Sequence, residues 1–230
     1  MDHTEIRKLA DLEDDHWWYR ERRVLLARDI AELPTGTALD IGAAGGGNTR
    51  VLREAGWQAI ALEYGEAGAE IARGRGLPVI RADATALPCA PASMDAVVAL
   101  DVLEHLADDD AAVREIHRVL RPGGLALIAV PADPRLWSAH DEAVGHVRRY
   151  TRPELVDLFV RNGFTVESTR SWNVLLRPVV ALRRRSSAGS DLEQMNPVVN
   201  RALRAVVALE RVLPVGRWPG VSLRLRARAR

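Results

Sequence analysis

One cysteine, Cys89, in 230 residues leaves no internal disulfide to form and fits a reducing compartment. Lys8 is the only lysine among 32 basic residues, and aromatic residues make up 5% of the chain. No apolar run approaches the ~18 to 20 residues that a membrane-spanning helix needs. The first residues, Met1-Asp2-His3-Thr4-Glu5, lack the basic and apolar regions of a secretion signal, so a cytoplasmic location is expected. What is present is 47% hydrophobic and 27% charged, enough to bury one generous core, or a core plus a cap.

The net charge of +1 hides two opposed halves. Residues 170–230 carry thirteen Arg against Asp191, Glu193 and Glu210, a balance of +10, which leaves −9 on the first 169 residues. Such a basic region suits anionic lipid, a phosphorylated substrate or nucleic acid, or is simply a solvated surface. An amphipathic helix starting near Asp14-Asp15 and carrying Trp17, Trp18, Val24, Leu25 and Leu26 is expected to run up to Pro34. Strands at Thr37 to Ile41, Gln58 to Glu63, Pro78 to Ala82, Asp95 to Asp101 and Leu125 to Val130 then alternate with helices at Gly46 to Glu54, Ala67 to Arg73 and Asp110 to Leu120. That alternation predicts an α/β, doubly wound, mainly parallel sheet with helices on both faces. Thr151-Arg152-Pro153-Glu154 is a capping box opening a helix that ends before Asn162-Gly163, and Phe164 to Ser168 reads as a sixth strand. Residues 171–218 read as an inserted helical cap, broken at Ser186 to Ser190, with a helix near Val198 to Leu213. Val221, Leu223 and Leu225 alternate with polar residues as an edge strand does, closing 219–230.

The chemistry concentrates where the first strand meets Gly42-Ala43-Ala44-Gly45-Gly46-Gly47. Small side chains let the backbone approach a ligand, and the free amides of the next helix favour polar or anionic groups. Glu63 ends the second strand, Asp83 follows the third and Asp95 opens the fourth, so three acids at successive strand borders mark a site. Gly42, Ala44 and Gly47 fit a degenerate dinucleotide fingerprint, while Gly42, Ala44 and Gly46 fit the turn that holds S-adenosylmethionine; both place Glu63 on a ribose diol. Asp83 favours the second, because its carboxylate can accept from an adenine amino group.

Over residues 37–170 the chain resembles the class I S-adenosylmethionine-dependent methyltransferases. The motifs are Leu39-Asp40-Ile41-Gly42-Ala43-Ala44-Gly45-Gly46, Ala61-Leu62-Glu63, Ala82-Asp83-Ala84 with Leu87-Pro88, Met94-Asp95-Ala96-Val97-Val98, Asp101-Val102-Leu103-Glu104-His105-Leu106 and Leu120-Arg121-Pro122-Gly123-Gly124. The resemblance implies a seven-stranded, Rossmann-like sheet whose last strand runs antiparallel between strands five and six, with 1–36 as a helical lid. It further implies that Asp40 and the Gly42 to Gly46 turn, Ala44 included, hold the methionine and ribose portion, Glu63 the diol, and Asp83 with Ala84 the adenine, with Asp101 and Leu103 bordering the sulfonium. Ala44 departs from the usual second glycine. His16-Trp17-Trp18-Tyr19-Arg20-Glu21-Arg22-Arg23, Gly145-His146-Val147-Arg148-Arg149-Tyr150-Thr151 and Glu210 to Leu223 are similar to a narrower bacterial group associated with glycan, lipid and secondary-metabolite gene clusters.

Methyl transfer to a hydroxyl needs a base, because an alcohol is a poor nucleophile until its proton leaves. His140 and His146 follow the fifth strand at the ligand-binding edge, where Asp141 or Glu142 can orient an imidazole, and His105 follows the fourth strand. Tyr19, Trp137, Arg148, Arg149 and Tyr150 are the acceptor-binding candidates, the arginines as forks for phosphate or carboxylate. His140, Asp141 and His146 match no strong metal spacing, so no metal is expected. The expected partner is a small hydroxylated, sugar-like or lipid-linked acceptor. Peripheral contact with anionic membrane through the Arg-rich region and a homodimer are open, and nucleic acid is not expected. An N- or C-methyltransferase, a nicotinamide-dependent oxidoreductase and a non-catalytic binding protein are the competing readings.

Overall fold

The computed structural model describes residues 7, 10, 12–184 and 195–230; the polar break at Ser186 to Ser190 lies outside them. Strands β1 (Thr37–Ile41), β2 (Gln58–Glu63), β3 (Val79–Arg81), β4 (Met94–Leu100), β5 (Leu120–Pro131), β6 (Phe164–Trp172) and β7 (Ser222–Ala229) form one sheet in the order β3-β2-β1-β4-β5-β7-β6. Pairing is parallel from β3 to β5 and antiparallel where β7 enters between β5 and β6. The inner strands carry near-continuous apolar runs, such as Ala96 to Ala99 and Leu125 to Val130, because helices cover both faces.

Helices α1 (Trp17–Ile30), α2 (Gly47–Glu54) and α3 (Glu66–Gly74) precede β3, and α4 (Asp109–Val119), α5 (Ala139–Ala143) and α6 (Arg152–Arg161) flank β5. Leu26 and Ile30 of α1 join Leu52 and Trp57 against Ala38, Ala59, Val98 and Leu127 on one face. On the other face Val113 and Ile116 of α4 and Leu155, Leu158 and Phe159 of α6 pack on Leu39, Val97, Ile128 and Leu225. Each fully buried Leu, Ile or Phe contributes roughly 1.5–3 kcal/mol, so these two layers carry most of the stability. Thr151 and Glu154 form the expected capping box at α6, with Pro153 in its first turn.

Three differences from the sequence reading have physical causes. Helix α1 begins one residue after His16, whose Nδ1 accepts from the Trp18 amide, rather than at Asp14-Asp15; Asp14 instead pairs with Arg50 (2.7 Å) and Arg23 (3.3 Å). Strand β7 lies between β5 and β6, where the resemblance puts it, and not at the edge that its alternation alone suggests. Its alternation marks one face of Leu223, Leu225, Ala227 and Ala229 in the core, and another on which Arg224 pairs with Asp29 and Arg226 and Arg228 share Glu167. A two-faced pattern shows that a strand has unlike sides, and says nothing of how many neighbours it has. Finally, the two charged halves meet: Arg177 pairs with Asp133, Arg184 with Asp141 and Arg211 with Glu21, in addition to the β7 pairs. Much of the basic region is therefore matched within the fold.

The region after β6 supplies α7 (Arg177–Arg183) and α8 (Pro197–Glu210). Leu176, Val180, Leu203 and Val207 from it pack against Trp17 and Trp18 of α1, and the Trp18 and Trp172 rings lie 4.4 Å apart. These elements roof the carboxyl ends of the strands. No helix among the described residues is long and apolar enough to cross a membrane.

Candidate active site

Strand order reverses between β1 and β4, and an open α/β sheet binds ligands in the crevice beyond such a point. The loop leaving β1 has three residues of positive φ: Gly42 (67°), Ala44 (46°) and Gly46 (81°). A Cβ at Gly42 would clash with Val102, and one at Gly46 with Leu77, so the turn packs against its neighbours only with glycine at these two positions. Ala44 holds a left-handed conformation that costs an ordinary residue roughly 1–2 kcal/mol. Glu63 stabilises it: one carboxylate oxygen accepts from the Ala44 amide and the other from the Gly65 amide, both at 2.7 Å. Each oxygen keeps a second lone pair.

Asp40 lies under this loop, wholly buried. Thr49 donates to its Oδ2 at 2.6 Å, Oδ1 has no partner, and burial pushes its pKa up to about 7. Asp83 stands exposed after β3, with Oδ1 taken by the Thr85 amide and hydroxyl, bonds that hold its pKa below the usual carboxylate range. Ala84 and Leu103 are buried beside these loops. Asp101 follows β4 with φ 58° and is paired by Arg22 of α1. Asp95 does not join them. It sits at the opposite edge, where it accepts from the Thr37 amide at 2.8 Å and pairs with Arg121.

A cleft of about 530 Å³ opens between these loops and the roof, within the range of small-molecule sites. Gly42, Ala44, Asp101 and Pro131 form its floor, while Trp18, Tyr19, Val180 and Leu203 cover it. On its wall stands an ordered polar array. The fully buried Asp141 accepts from Arg149 Nε at 2.8 Å and from His146 Nδ1 at 2.9 Å. His105 places Nδ1 3.2 Å from the Gly145 carbonyl, and its ring stacks edge-on to His146 at 4.8 Å. Burial depresses the His105 pKa. Glu104 is wholly buried with neither carboxylate oxygen hydrogen-bonded, and burial, reinforced by Asp101, raises its pKa well above the usual range.

His105, His140, His146, Tyr19 and Arg149 thus all line the cleft. Trp137, Arg148 and Tyr150 are not among its lining residues. Trp137 Nε1 reaches Glu142 at 3.4 Å, and Arg148 (2.6 Å) and the Tyr150 hydroxyl (2.7 Å) both bind Asp109 at the start of α4. Sequence reasoning gave no role to Glu104, Arg22 or Glu13. Glu13, almost fully buried, is held by Arg75, Arg23 and Arg50, while Arg75 also donates to the Gly45 carbonyl at 2.6 Å, fastening the segment before α1 onto the glycine turn. A carboxylate three residues beyond the end of an apolar strand was the one available signal for Glu104.

Fold and crevice define a doubly wound α/β domain with a ligand site at the carboxyl ends of its strands. Residues 39–128 match the family described as methyltransferase domain. A probable S-adenosylmethionine-dependent methyltransferase of Mycolicibacterium smegmatis is 30% identical over 170 residues, covering 72% of this chain and 66% of that one. A ubiquinone biosynthesis O-methyltransferase of Pseudomonas aeruginosa is 31% identical over 147 residues, 56% of this chain and 63% of the relative. The chain thus spans just under two thirds of the length of these curated relatives. A solved S-adenosylmethionine-dependent methyltransferase from Mesorhizobium loti superposes with a TM-score of 0.65 at 18% identity over 94% of this chain and 99% of that one, a likeness of fold. Over its core the chain is similar to S-adenosylmethionine-dependent methyltransferases of class I.

Proposed function

We propose that this protein transfers the methyl group of S-adenosylmethionine to an oxygen of a small acceptor that carries an apolar portion. The observation that carries this reading is the buried Asp141–His146 pair on the wall of the crevice where β1 and β4 diverge. The chain's residues suit the donor: Gly42, Ala43 and Ala44 line the cleft with small residues that let a ligand reach the backbone, and Asp40 keeps a buried oxygen without a partner. In this reading the Gly42 to Gly46 turn and Asp101 hold the methionine end, the second lone pairs of Glu63 take the ribose hydroxyls, and Asp83 Oδ2 takes the adenine amine. Asp40, Ala44, Ala84 and Leu103 shape the loops that carry them.

When bound, the donor supplies an electrophilic methyl on sulfur. The roof of α1, α7 and α8 fixes the acceptor for in-line attack at about 3 Å, which can supply most of the acceleration. His146, its Nδ1 committed to Asp141, turns Nε2 towards the acceptor, and the hydroxyl is activated there. Val179 and Val199 line the cleft and are also exposed, so its apolar wall continues onto the outer surface beside Leu182 and Val198. That continuity favours a lipid-linked or hydrophobic acceptor and a cap that touches a lipid surface. The Pseudomonas relative, named for O-methylation, supports oxygen as the acceptor atom.

The test is methyl transfer from labelled donor to a panel of hydroxylated quinones, glycolipids and sugars, with mass spectrometry locating the new methyl. His146→Ala is expected to lower kcat ~10²–10⁴-fold while the donor Kd stays constant. Calorimetry showing no donor binding, or binding of a nicotinamide dinucleotide instead, would overturn the reading; methyl found on nitrogen or carbon would replace oxygen as its acceptor.

A further inference from the structure

His105 and His146 are held in the same way. The Gly145 carbonyl can only accept, so His105 Nδ1 carries the proton, and the Asp141 carboxylate, already bound to Arg149, imposes the same choice on His146. Both imidazoles therefore keep Nε2 as a bare lone pair. His146 Nε2 lies 3.8 Å from Glu104 Oε1, too far for a hydrogen bond. One ligand atom from each of Glu104, His105 and His146 falls within 4.8 Å of the others. Three groups that can each offer a lone pair converge on one gap, and one of them is a wholly buried carboxyl with no hydrogen bond to either oxygen. A carboxyl in such a place keeps its proton until a cation displaces it, so this gap suits positive charge.

We propose that Glu104, His105 and His146 form a binding site for a divalent transition-metal ion of the Zn²⁺, Mn²⁺ or Co²⁺ kind. Two imidazoles with one carboxylate suit such ions better than Mg²⁺, and three protein ligands leave positions open, as in sites where the metal takes part in the reaction. Ligand atoms about 2.1 Å from a tetrahedral ion stand about 3.4 Å apart, so a pair 4.8 Å apart must close by about 1.4 Å on binding. The hydrogen bonds from Nδ1 to Asp141 and to Gly145 are the outer-shell bonds that ligating histidines make, fixing tautomer and ring direction together. The seat differs from the grouping that sequence spacing suggests, because Asp141 is spent on His146 and Arg149 and cannot also ligate.

This assignment rests on the cleft being the methyl-transfer site and specifies how the hydroxyl is activated there. The ion holds the acceptor oxygen and lowers its pKa, so that its proton leaves to solvent water. The oxygen lone pair then forms the bond to the methyl carbon as the carbon–sulfur bond breaks, and that electron pair returns to sulfur. His146 serves as ligand in this scheme.

The experiment titrates chelator-stripped full-length protein with CoCl₂, MnCl₂ and MgCl₂ by calorimetry, with the Co²⁺ absorption spectrum reporting imidazole ligation. One Co²⁺ per chain should bind with micromolar Kd and Mg²⁺ far more weakly. Glu104→Gln and His146→Gln should each weaken Co²⁺ at least ~100-fold, Asp141→Asn ~10–100-fold, all with donor affinity retained. No binding at millimolar Co²⁺, or equal binding to Glu104→Gln, would overturn the site. Full methyl transfer by stripped protein would overturn its role, and if His146→Ala still loses turnover there, the base reading of His146 stands alone.

Discussion

The proposed donor side and the proposed acceptor side of the crevice are built by different means. On the donor side the holding contacts are short in sequence: Asp83 to Thr85, Glu63 to Gly65, Asp40 to Thr49, and Glu63 to Ala44 nineteen residues away. Each is made by the turn that ends a parallel strand. On the acceptor side, contacts bridge distant segments: His105 to Gly145, Arg184 to Asp141, and the Trp17 amide to Asn200. One side is a property of strand ends, whereas the other exists only once lid, core and cap have closed together. A donor site made of backbone turns can be shared across many acceptors, while a wall of long-range polar contacts can be rebuilt for each.

The largest expected effect sharpens that contrast. Asp141→Ala leaves Arg149 and Arg184 facing a buried void and His146 without its guide, and should cost about 3–5 kcal/mol in urea unfolding. Asp83→Ala, exposed on the donor side, should stay within ~0.5 kcal/mol. Equal losses would show that the two sides are equally long-range in their support.

A slightly smaller effect comes from Asp40. Its pKa rises from 3.8 in the unfolded chain to about 7 in the fold, mainly through burial, against Thr49 and Arg22, which oppose the rise, and Glu63, which adds to it. Between those values the native state holds a proton that the unfolded chain releases, so stability falls as pH rises through the window. The fall amounts to at most about 4 kcal/mol at about 1.4 kcal/mol per pH unit. Asp40→Asn should remove this part of the slope in melts of the ligand-free protein from pH 4 to 7.5. An unchanged slope would mean that Asp40 is ionised in the fold.

Next, Glu63→Ala should raise the donor Kd by ~10–100-fold, about 1.5–3 kcal/mol for charge-assisted hydrogen bonds, with kcat at saturation little altered. The division between the sides breaks if Tyr19→Ala, in the lid, weakens donor binding as strongly. Least of all, Ala44→Gly relieves the left-handed conformation and should gain under ~1 kcal/mol, after the extra chain entropy of glycine is subtracted. A thermal melt shifted upward by a few degrees checks it, and a lower midpoint would place the strain elsewhere.

The fold was legible because its signals are local. Apolar runs broken by Gly42 and Pro88, carboxylates at strand ends and the Thr151 capping box each repeat a rule that acts over a few residues. The donor loops were legible for the same reason. Arg149 was legible as an arginine near the site, but not as one committed to Asp141, and Tyr150 and Arg148 looked alike in the sequence yet were drawn to Asp109. The burial of Glu104 and its approach to His146 had no local sign, since they depend on a loop forty residues further on.

By itself, the sequence determined the order of strands and helices, the glycine turn at the carboxyl end of β1 and the acids available at the strand ends, because periodicity, turn chemistry and side-chain charge are properties of short segments. Only the tertiary structure decided that the basic C-terminal region meets the acidic half, and that Glu104, His105 and His146 share one gap. Those outcomes follow from which surfaces bury each other, and burial is settled by the whole chain at once.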